Sequence, residues 1–383
     1  MTCGDVRNKI ALVIPWSPEH PAGVSVVVRN LMAESGRGCV NAIVCIDRWE
    51  FRVPGQDADG ALCLRFGLLG GWGAMAIAKS IFSGTAQLLL VARWLKSNRI
   101  EAINFHYVGL SGLSIAVLKW LRIFRGRFVL SFHGTDLQLP DRVLERLLYR
   151  FMLSRADSVT FCSHALADRA VSMLLGNRDR FNVIYNGVDT NVFKPNLAKD
   201  PSLPAMYLVQ VGSFDIRKRQ LFLLECFSRI APSYPGLSLV LVGMDGPERS
   251  RVLKWADERG LAKCLVVRTD LEPRDVARIV ANAVCCVQPS SVEAFGIAVI
   301  EAGACRVPVV ASRVGGHIET VIDEVNGLLF EVDDIDGCVK AIERLLESDS
   351  LRARLATAFY QKVVDNFKWS ESAKKYFELL RGT

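Results

Sequence analysis

The feature that most constrains this chain is an alternation that runs almost its full length. Short apolar runs read as strands at 10–14, 40–46, 102–106, 128–132, 158–162 and 183–185. Between them lie segments of helical spacing at 24–34, 74–97, 113–124 and 142–154. Strands apolar on both faces, separated by helix-length stretches, require a parallel sheet covered by helices on each side. The pattern breaks at the proline-rich, polar stretch Lys194–Pro204, which reads as a linker. It then restarts, with strands at 206–211, 238–242, 264–267, 283–287 and 307–311 and helices among them, and ends in helices at 335–348, 351–367 and 369–381. With 383 residues there is enough chain for two full cores. The expected architecture is α/β, with two Rossmann-like domains, residues 1–195 and 205–368, facing a central cleft. A closing helix, 369–383, is assigned with the first of them.

In open α/β sheets ligands bind beyond the carboxyl ends of the strands. The segments that follow the predicted strands are polar and glycine-bearing: Gly23 after the first, then His133-Gly134-Thr135-Asp136, Asn186-Gly187-Val188-Asp189, Gly212 through Lys218, Gly243 through Gly246, and Gly315-Gly316. Each alone is ordinary turn chemistry. The densest follows the run 283–287: Pro289, Ser290 and Ser291, then Glu293-Ala294-Phe295-Gly296-Ile297 and, on a probable helix, Glu301. Such a loop aims backbone N–H groups at what lies above the strand end, which suits phosphate or sugar oxygens. It also reads as a capped loop with two solvated glutamates.

Taken in order, these motifs resemble the retaining glycosyltransferases of family four, which have the GT-B fold. The resemblance rests on Glu293 and Glu301 with seven residues between them. It is supported by His133–Asp136, Asn186–Asp189 with Phe193 and Pro195, Val211-Gly212 followed by Lys218, and Pro308–Ala311 followed by Gly315-Gly316 and Asn326-Gly327. It covers nearly the whole chain, densely in the second half. It implies a nucleoside-diphosphate sugar as donor, with no cofactor and no metal. Glu301 would accept hydrogen bonds from ribose hydroxyls, and Glu293 would meet the donor sugar. Amides of Ala294, Phe295, Gly296 and Ile297 would approach sugar and phosphate oxygens, and Lys218 with Arg217 would neutralise the diphosphate. His133 would lie near the reacting centre and Gly23 near the donor phosphates. The last helix would cross back onto the N-terminal domain, burying Tyr376, Leu379 and Leu380. The chain departs from the pattern in having Ala22 before Gly23, Ser213 where many members carry arginine, and Arg219 where glycine is frequent. Arg217 or Arg219 is a candidate to replace the missing arginine. A leaving diphosphate gains charge in the transition state, and fixed cations and amides stabilise that gain. No side chain stands out as a nucleophile, so retention implies a same-face reaction in which a diphosphate oxygen helps take the acceptor proton.

The net charge of +7 is unevenly placed. Residues 1–195 hold 23 basic and 15 acidic side chains, and the remainder 24 and 25. Between Lys79 and Arg127 eight basic residues face Glu101 alone, with Leu, Trp, Ile and Phe interleaved. That mixture fits either a face for anionic membrane or ordinary solvated helices. No nucleic-acid motif accompanies it, so nucleic acid is not expected as a partner. The eleven cysteines include no C-x-x-C pair, and several sit in apolar runs, as reduced thiols in a cytoplasmic protein would. Asp57-Ala58-Asp59 and Gly71–Ala76 imitate a metal-binding and a dinucleotide motif but lack the flanking strand each needs. The expectation is therefore a cytoplasmic glycosyltransferase acting at the inner membrane face, with a glycan or lipid-linked acceptor, in bacterial surface polysaccharide synthesis. A sugar-nucleotide epimerase or hydrolase, or a non-catalytic binding protein on the same fold, are the rivals.

Overall fold

The computed structural model describes residues 9–20, 23–37, 40–48, 50–51, 53–57, 60–68, 74–137, 142–174 and 180–382, the side chains of 74–83 and 174 excepted. Two units emerge: residues 1–185 with 369–383, and residues 186–368.

The first unit carries strands β1 (Lys9–Ile14), β2 (Asn41–Asp47), β3 (Gly55–Gln56), β4 (Leu62–Leu64), β5 (Ile100–His106), β6 (Arg127–Phe132), β7 (Ser158–Phe161) and β8 (Phe181–Val183). Its helices are α1 (Gly23–Arg37), α2 (Ala74–Ser97), α3 (Leu113–Trp120), α4 (Val143–Arg155) and α5 (His164–Leu174). The sheet order is β3-β4-β2-β1-β5-β6-β7-β8, parallel except where β3 meets β4. The order reverses between β1 and β5, so the chain winds outward in both directions from that point.

The second unit holds β9 (Met206–Val211), β10 (Leu237–Gly243), β11 (Leu265–Thr269), β12 (Cys285–Gln288), β13 (Val309–Ser312) and β14 (Leu328–Phe330). Helices α6 (Gln220–Ile230), α7 (Glu248–Glu258), α8 (Pro273–Ala281), α9 (Ile297–Ala304), α10 (His317–Thr320), α11 (Ile335–Glu347) and α12 (Asp349–Asn366) connect and cover them. All six strands are parallel, in the order β11-β10-β9-β12-β13-β14, with the reversal between β9 and β12. Leu208, Leu239, Leu241, Phe227, Ile342 and Leu345 fill one core layer of this unit.

The last helix, α13 (Trp369–Arg381), packs into the core of the first unit. Trp369, Ala373, Tyr376, Phe377 and Leu380 recur at helical spacing and meet Leu12, Val28 and Leu31 there. Phe377 takes the buried place expected of Leu379, which is only partly covered because it lies off the stripe.

The polar stretch 194–204 does not behave as a free linker. Phe193 and Leu203 are buried, and the Asn282 side-chain amide donates to the Leu197 carbonyl at 3.0 Å. The Val188 amide donates to the Phe367 carbonyl at 2.9 Å, so the second unit already begins at Asn186 rather than at 205. Strands β3, β4 and β14 and helices α5 and α10 had no counterpart in the sequence reading, being short or weakly periodic. Asp57 accepts the Ala61 amide at 2.9 Å across a turn, while Ala58 and Asp59 lie outside the described residues, as do Gly71 to Gly73. The nine described cysteines are free, and eight are buried.

Candidate active site

Where strand order reverses in the second unit, between β9 and β12, the loops leaving the two strands meet: the Ser291 amide donates to the Arg217 carbonyl at 2.9 Å. The β9 loop runs through Gly212 into a single 3-10 turn, Ile216–Lys218. Asp215 caps that turn, accepting the Arg217 amide at 2.9 Å and the Arg217 guanidinium at 2.7 Å. Lys218 takes the other direction. Its stem crosses Gly212, where a Cβ would meet Lys218 Cδ at 3.2 Å, and its Nζ reaches Glu293 Oε2 at 2.6 Å. Buried Gln210, at the end of β9, donates to the Lys218 carbonyl at 2.6 Å and fixes the turn from below. Lys218 and Glu293, predicted from opposite ends of the second domain, are thus in contact. Arg217 is paired with Asp215 instead. Arg219 pairs with Asp333 and lies over the Phe222 ring.

The β12 loop is shaped by its contacts with the segment after β13. Gly315 has φ +41°, and a Cβ there would sit 1.9 Å from the Glu293 carbonyl oxygen. At Gly316 a Cβ would fall 2.3 Å from Phe295 Cα. Only paired glycines let the two backbones lie this close. The Gly316 amide donates to the Glu293 carbonyl at 3.0 Å. Gly296 turns the loop into α9 with φ +92°, against the ring of buried His317. The start of α9 carries the positive end of the helix dipole.

Glu293 sits among three polar groups. Besides Lys218, Ser290 Oγ donates to Oε2 at 3.3 Å, and His317 Nε2 stands 3.9 Å away. Burial pushes the carboxyl up, but Lys218, His317 and Ser290 outweigh it and bring it down to about 2. His317 Nδ1 donates to the Ser312 carbonyl at 3.1 Å, which turns Nε2 toward Glu293. Glu301 differs. It is half-buried on α9, no hydrogen bond to its carboxyl was found among the described residues, and burial pushes it up to about 7. A carboxylate so placed is an acceptor in want of donors, as ligand hydroxyls would supply.

His133 and Gly23 belong to the first unit. Gly23 heads α1 and is exposed; Ala22 lies outside the described residues. His133 follows β6, and Asp136 holds its loop. The Asp136 carboxylate accepts the amides of His133 at 2.9 Å, Gly134 at 2.7 Å and Val108 at 2.9 Å. Burial raises the Asp136 carboxyl to about 6 even against those three donors. His133 Nε2 lies 3.0 Å from His106 Nδ1, and burial lowers His133 to about 4. Among the described residues no three His, Cys, Asp or Glu side chains converge as a metal site would require.

Residues 21–192 match the model of Glycosyltransferase Family 4, and residues 194–362 that of Glycosyl transferases group 1. The chain belongs to the family-four glycosyltransferases. Among relatives of this glycosyltransferase is N-acetyl-alpha-D-glucosaminyl L-malate synthase of Bacillus anthracis, 26% identical over 75% of this chain and 76% of the relative. Another is the GDP-mannose-dependent alpha-(1-6)-phosphatidylinositol monomannoside mannosyltransferase of Mycolicibacterium smegmatis, 29% identical over 67% and 70%. The fold is GT-B. It matches the crystal structure of Anabaena HepE in complex with UDP with a TM-score of 0.75 at 18% identity, covering 98% of this chain and 100% of that one.

Sequence reasoning missed Ser290 and His317 as neighbours of Glu293, and Asp136 as the lock on the His133 loop. His317 was within reach, since it directly follows Gly315-Gly316. Asn186–Asp189, quoted for the resemblance, serves packing: Asn186 and Val188 are buried, and Asp189 caps the next turn through the Asn191 amide at 2.9 Å.

Proposed function

We propose that this glycosyltransferase moves a sugar, with retention and without a resident metal or cofactor, from a nucleoside-diphosphate sugar to a glycan or lipid-linked acceptor. The observation that carries the reading is the group of residues at the strand reversal of the second unit. There a lysine held by a carboxylate, the electropositive start of α9 and Glu301, whose carboxyl has no hydrogen bond among the described residues, stand at one sheet edge. In this reading Glu301 takes the ribose hydroxyls. Lys218 and the amides from Ala294 to Ile297 meet the diphosphate, whose charge grows as it leaves. Glu293 keeps Lys218 oriented and accepts from the donor sugar. His133 serves the sugar from the first unit, and Gly23 lets the loop before α1 approach the phosphates. Two relatives support a nucleotide donor by their names alone, one GDP-mannose-dependent and one crystallised with UDP.

The acceptor side is read from the surface of the first unit. On α4, Val143, Leu147 and the half-buried Phe151 form a stripe, and the Phe151 ring meets exposed Trp120 of α3 edge-on at 6.5 Å. Leu121, Ile123 and Leu144 extend the apolar area, and Arg122, Arg125, Arg146 and Arg150 are exposed beside it. Trp120 is 58% and Val143 67% exposed, more than an isolated domain gains from leaving such side chains in water. Apolar side chains ringed by arginines suit an anionic bilayer surface. No described helix is long and apolar enough to cross a membrane. We place the enzyme in the cytoplasm at the inner membrane face, in bacterial surface polysaccharide synthesis.

A thermal-shift screen against UDP-, GDP-, ADP- and CMP-sugars tests the donor class; stabilisation by none of them refutes it. Nucleotide released at full rate without any acceptor would make the chain a hydrolase instead. Cosedimentation with phosphatidylglycerol vesicles at low salt tests the membrane face. Leu147→Glu with Arg150→Glu should abolish it, and equal sedimentation of wild type and variant would refute the assignment.

A further inference from the structure

Beneath His133 lies a chain of buried polar side chains drawn from three strands and the last helix. Thr160 of β7 donates to Ser131 Oγ at 2.8 Å, and Ser131 of β6 donates to Asn104 Oδ1 at 2.8 Å. Asn104 of β5 then presents its amide nitrogen to His106 Nε2 at 3.0 Å. His106 Nδ1 faces His133 Nε2 at 3.0 Å, and the two rings stack 5.3 Å apart. Asn104, His106, Ser131 and Thr160 are all buried, so no water competes for these bonds. Tyr376 closes the far end. Its ring lies 5.7 Å from that of His106, and its hydroxyl lies beside Thr160 and Ser131.

With the Asn104 oxygen on Ser131, each bond sets the direction of the next. The single proton of Ser131 is spent on the Asn104 carbonyl, so the other arm of Asn104 is its NH2, which can only donate. His106 Nε2 must therefore be bare, and a neutral ring carries its proton on Nδ1. That proton points at His133 Nε2, which must accept it, leaving the His133 proton on Nδ1. Burial holds both rings below their ordinary range, so neither is an imidazolium near neutrality. His133 is itself only half-buried, and no partner for its Nδ1 was found among the described residues.

We propose that His106 and Asn104 are positioning residues that hold His133 in its Nδ1–H tautomer, so that His133 presents a fixed hydrogen-bond donor to its ligand. The ligand atom it meets is then an acceptor, such as a sugar hydroxyl or ring oxygen. With the other tautomer His133 would accept instead, and the same hydroxyl would have to turn its proton around. The functional half of this proposal rests on the reading of His133 as a donor-site residue; the tautomer itself does not.

The test is nitrogen NMR of the full-length protein labelled at its five histidines, with signals assigned by single substitutions. The expected result near neutral pH is a protonated Nδ1 and a bare Nε2 in both His106 and His133. His106→Asn keeps a donor close to the Nδ1 position and should preserve the His133 tautomer, whereas His106→Leu should release it into a mixture. In transfer assays His106→Leu should lower kcat about tenfold, the rate equivalent of one misdirected hydrogen bond, with KM for the donor little changed and His106→Asn restoring most of it. A His133 signal protonated at Nε2 in the wild type, or one unaltered by His106→Leu, overturns the proposal. A released tautomer with unchanged kcat overturns its functional half. Because the NMR measurement needs no substrate, failure of the transferase reading would show separately, as a wild type that keeps the Nδ1–H signal and turns over no donor.

Discussion

Removing the Lys218 amine should cost stability as well as activity, and the structure sets the size of the cost. The Glu293 side chain is only 14% exposed, and its carboxyl is brought from an ordinary 4.5 to about 2 although burial alone would raise it. A depression of that size corresponds to about 3 kcal/mol of preferential stabilisation of the ionised form in the folded protein. A lowered carboxyl contributes stability that is complete above its unfolded value and is lost as pH falls. The window therefore runs from about 4.5 down to about 2. In Lys218→Ala the compensating cation is gone and the desolvated charge remains, so the variant should be less stable by about 3 kcal/mol at neutral pH. Its deficit should narrow steadily as both proteins are acidified below 4.5. Adding Glu293→Gln to Lys218→Ala removes the stranded charge and should return much of the loss, a non-additivity expected only of groups in contact. Transfer should fall by about two to three orders of magnitude, the effect of losing one fixed charge at a leaving group. Urea titrations of wild type, Lys218→Ala, Glu293→Gln and the double variant across this pH range make the measurement. If Lys218→Ala were as stable as wild type at neutral pH, the pair would not hold the site. A deficit unchanged on acidification would assign the loss to packing of the lysine stem over Gly212 rather than to charge.

Glu301 should show the opposite sign: its carboxyl is raised to about 7, so the folded protein holds a proton that the unfolded chain has released. Glu301→Gln should then stabilise the ligand-free enzyme above pH 7 by up to about 2 kcal/mol after solvent screening, make no difference below 4.5, and weaken donor binding about tenfold, read by urea titration and calorimetry. Asp136→Asn replaces one acceptor oxygen of the three-amide lock with an NH2 that opposes a backbone N–H, and should cost about 2 kcal/mol, checked by denaturant unfolding with His133 chemical shifts as the local probe. Gly316→Ala forces a methyl to within 2.6 Å of the Phe295 carbonyl oxygen, so the β12 loop must move. Thermal shift should fall and donor binding vanish, while the same substitution at open Gly260 should spare donor binding.

What could be read from the sequence was whatever the chain writes locally. Apolar runs and their spacing gave both sheets, because parallel strands are apolar on both faces and say so residue by residue. The breaks at Ser348 and Lys368 placed the last three helices to within about two residues. The misplaced domain boundary came from composition: proline and polar side chains at 194–204 mark a linker on average. Here Phe193 and Leu203, two apolar residues in a polar setting, pin it to the second unit. Arg217 shows what local composition does settle. Its neighbour Asp215, two residues back, offers a cap and a carboxylate together and holds the side chain.

The His133 network shows where local reading stops. Asn104 and His106 are two apart on β5 and so share a face, a period visible in the sequence as polar residues inside an apolar run. Their meaning depends on register. His106 lies opposite Ser131 in the β5–β6 pairing, and Ser131 opposite Thr160 in the β6–β7 pairing. A shift of one residue in either would send one partner to the other face of the sheet and leave a buried amide or imidazole without a bond, at a cost of several kcal/mol. The network is thus evidence for the register as well as a product of it. Tyr376 carries the same logic across 216 residues of sequence, from Thr160 to a helix that begins after the whole second unit. If α13 serves only to cover apolar surface, Tyr376→Phe should be silent, since the ring and its burial are kept. If its hydroxyl holds Thr160 and Ser131 in the order described, Tyr376→Phe should leave the fold and its apolar packing intact yet broaden the His133 tautomer signal, in a residue it does not touch.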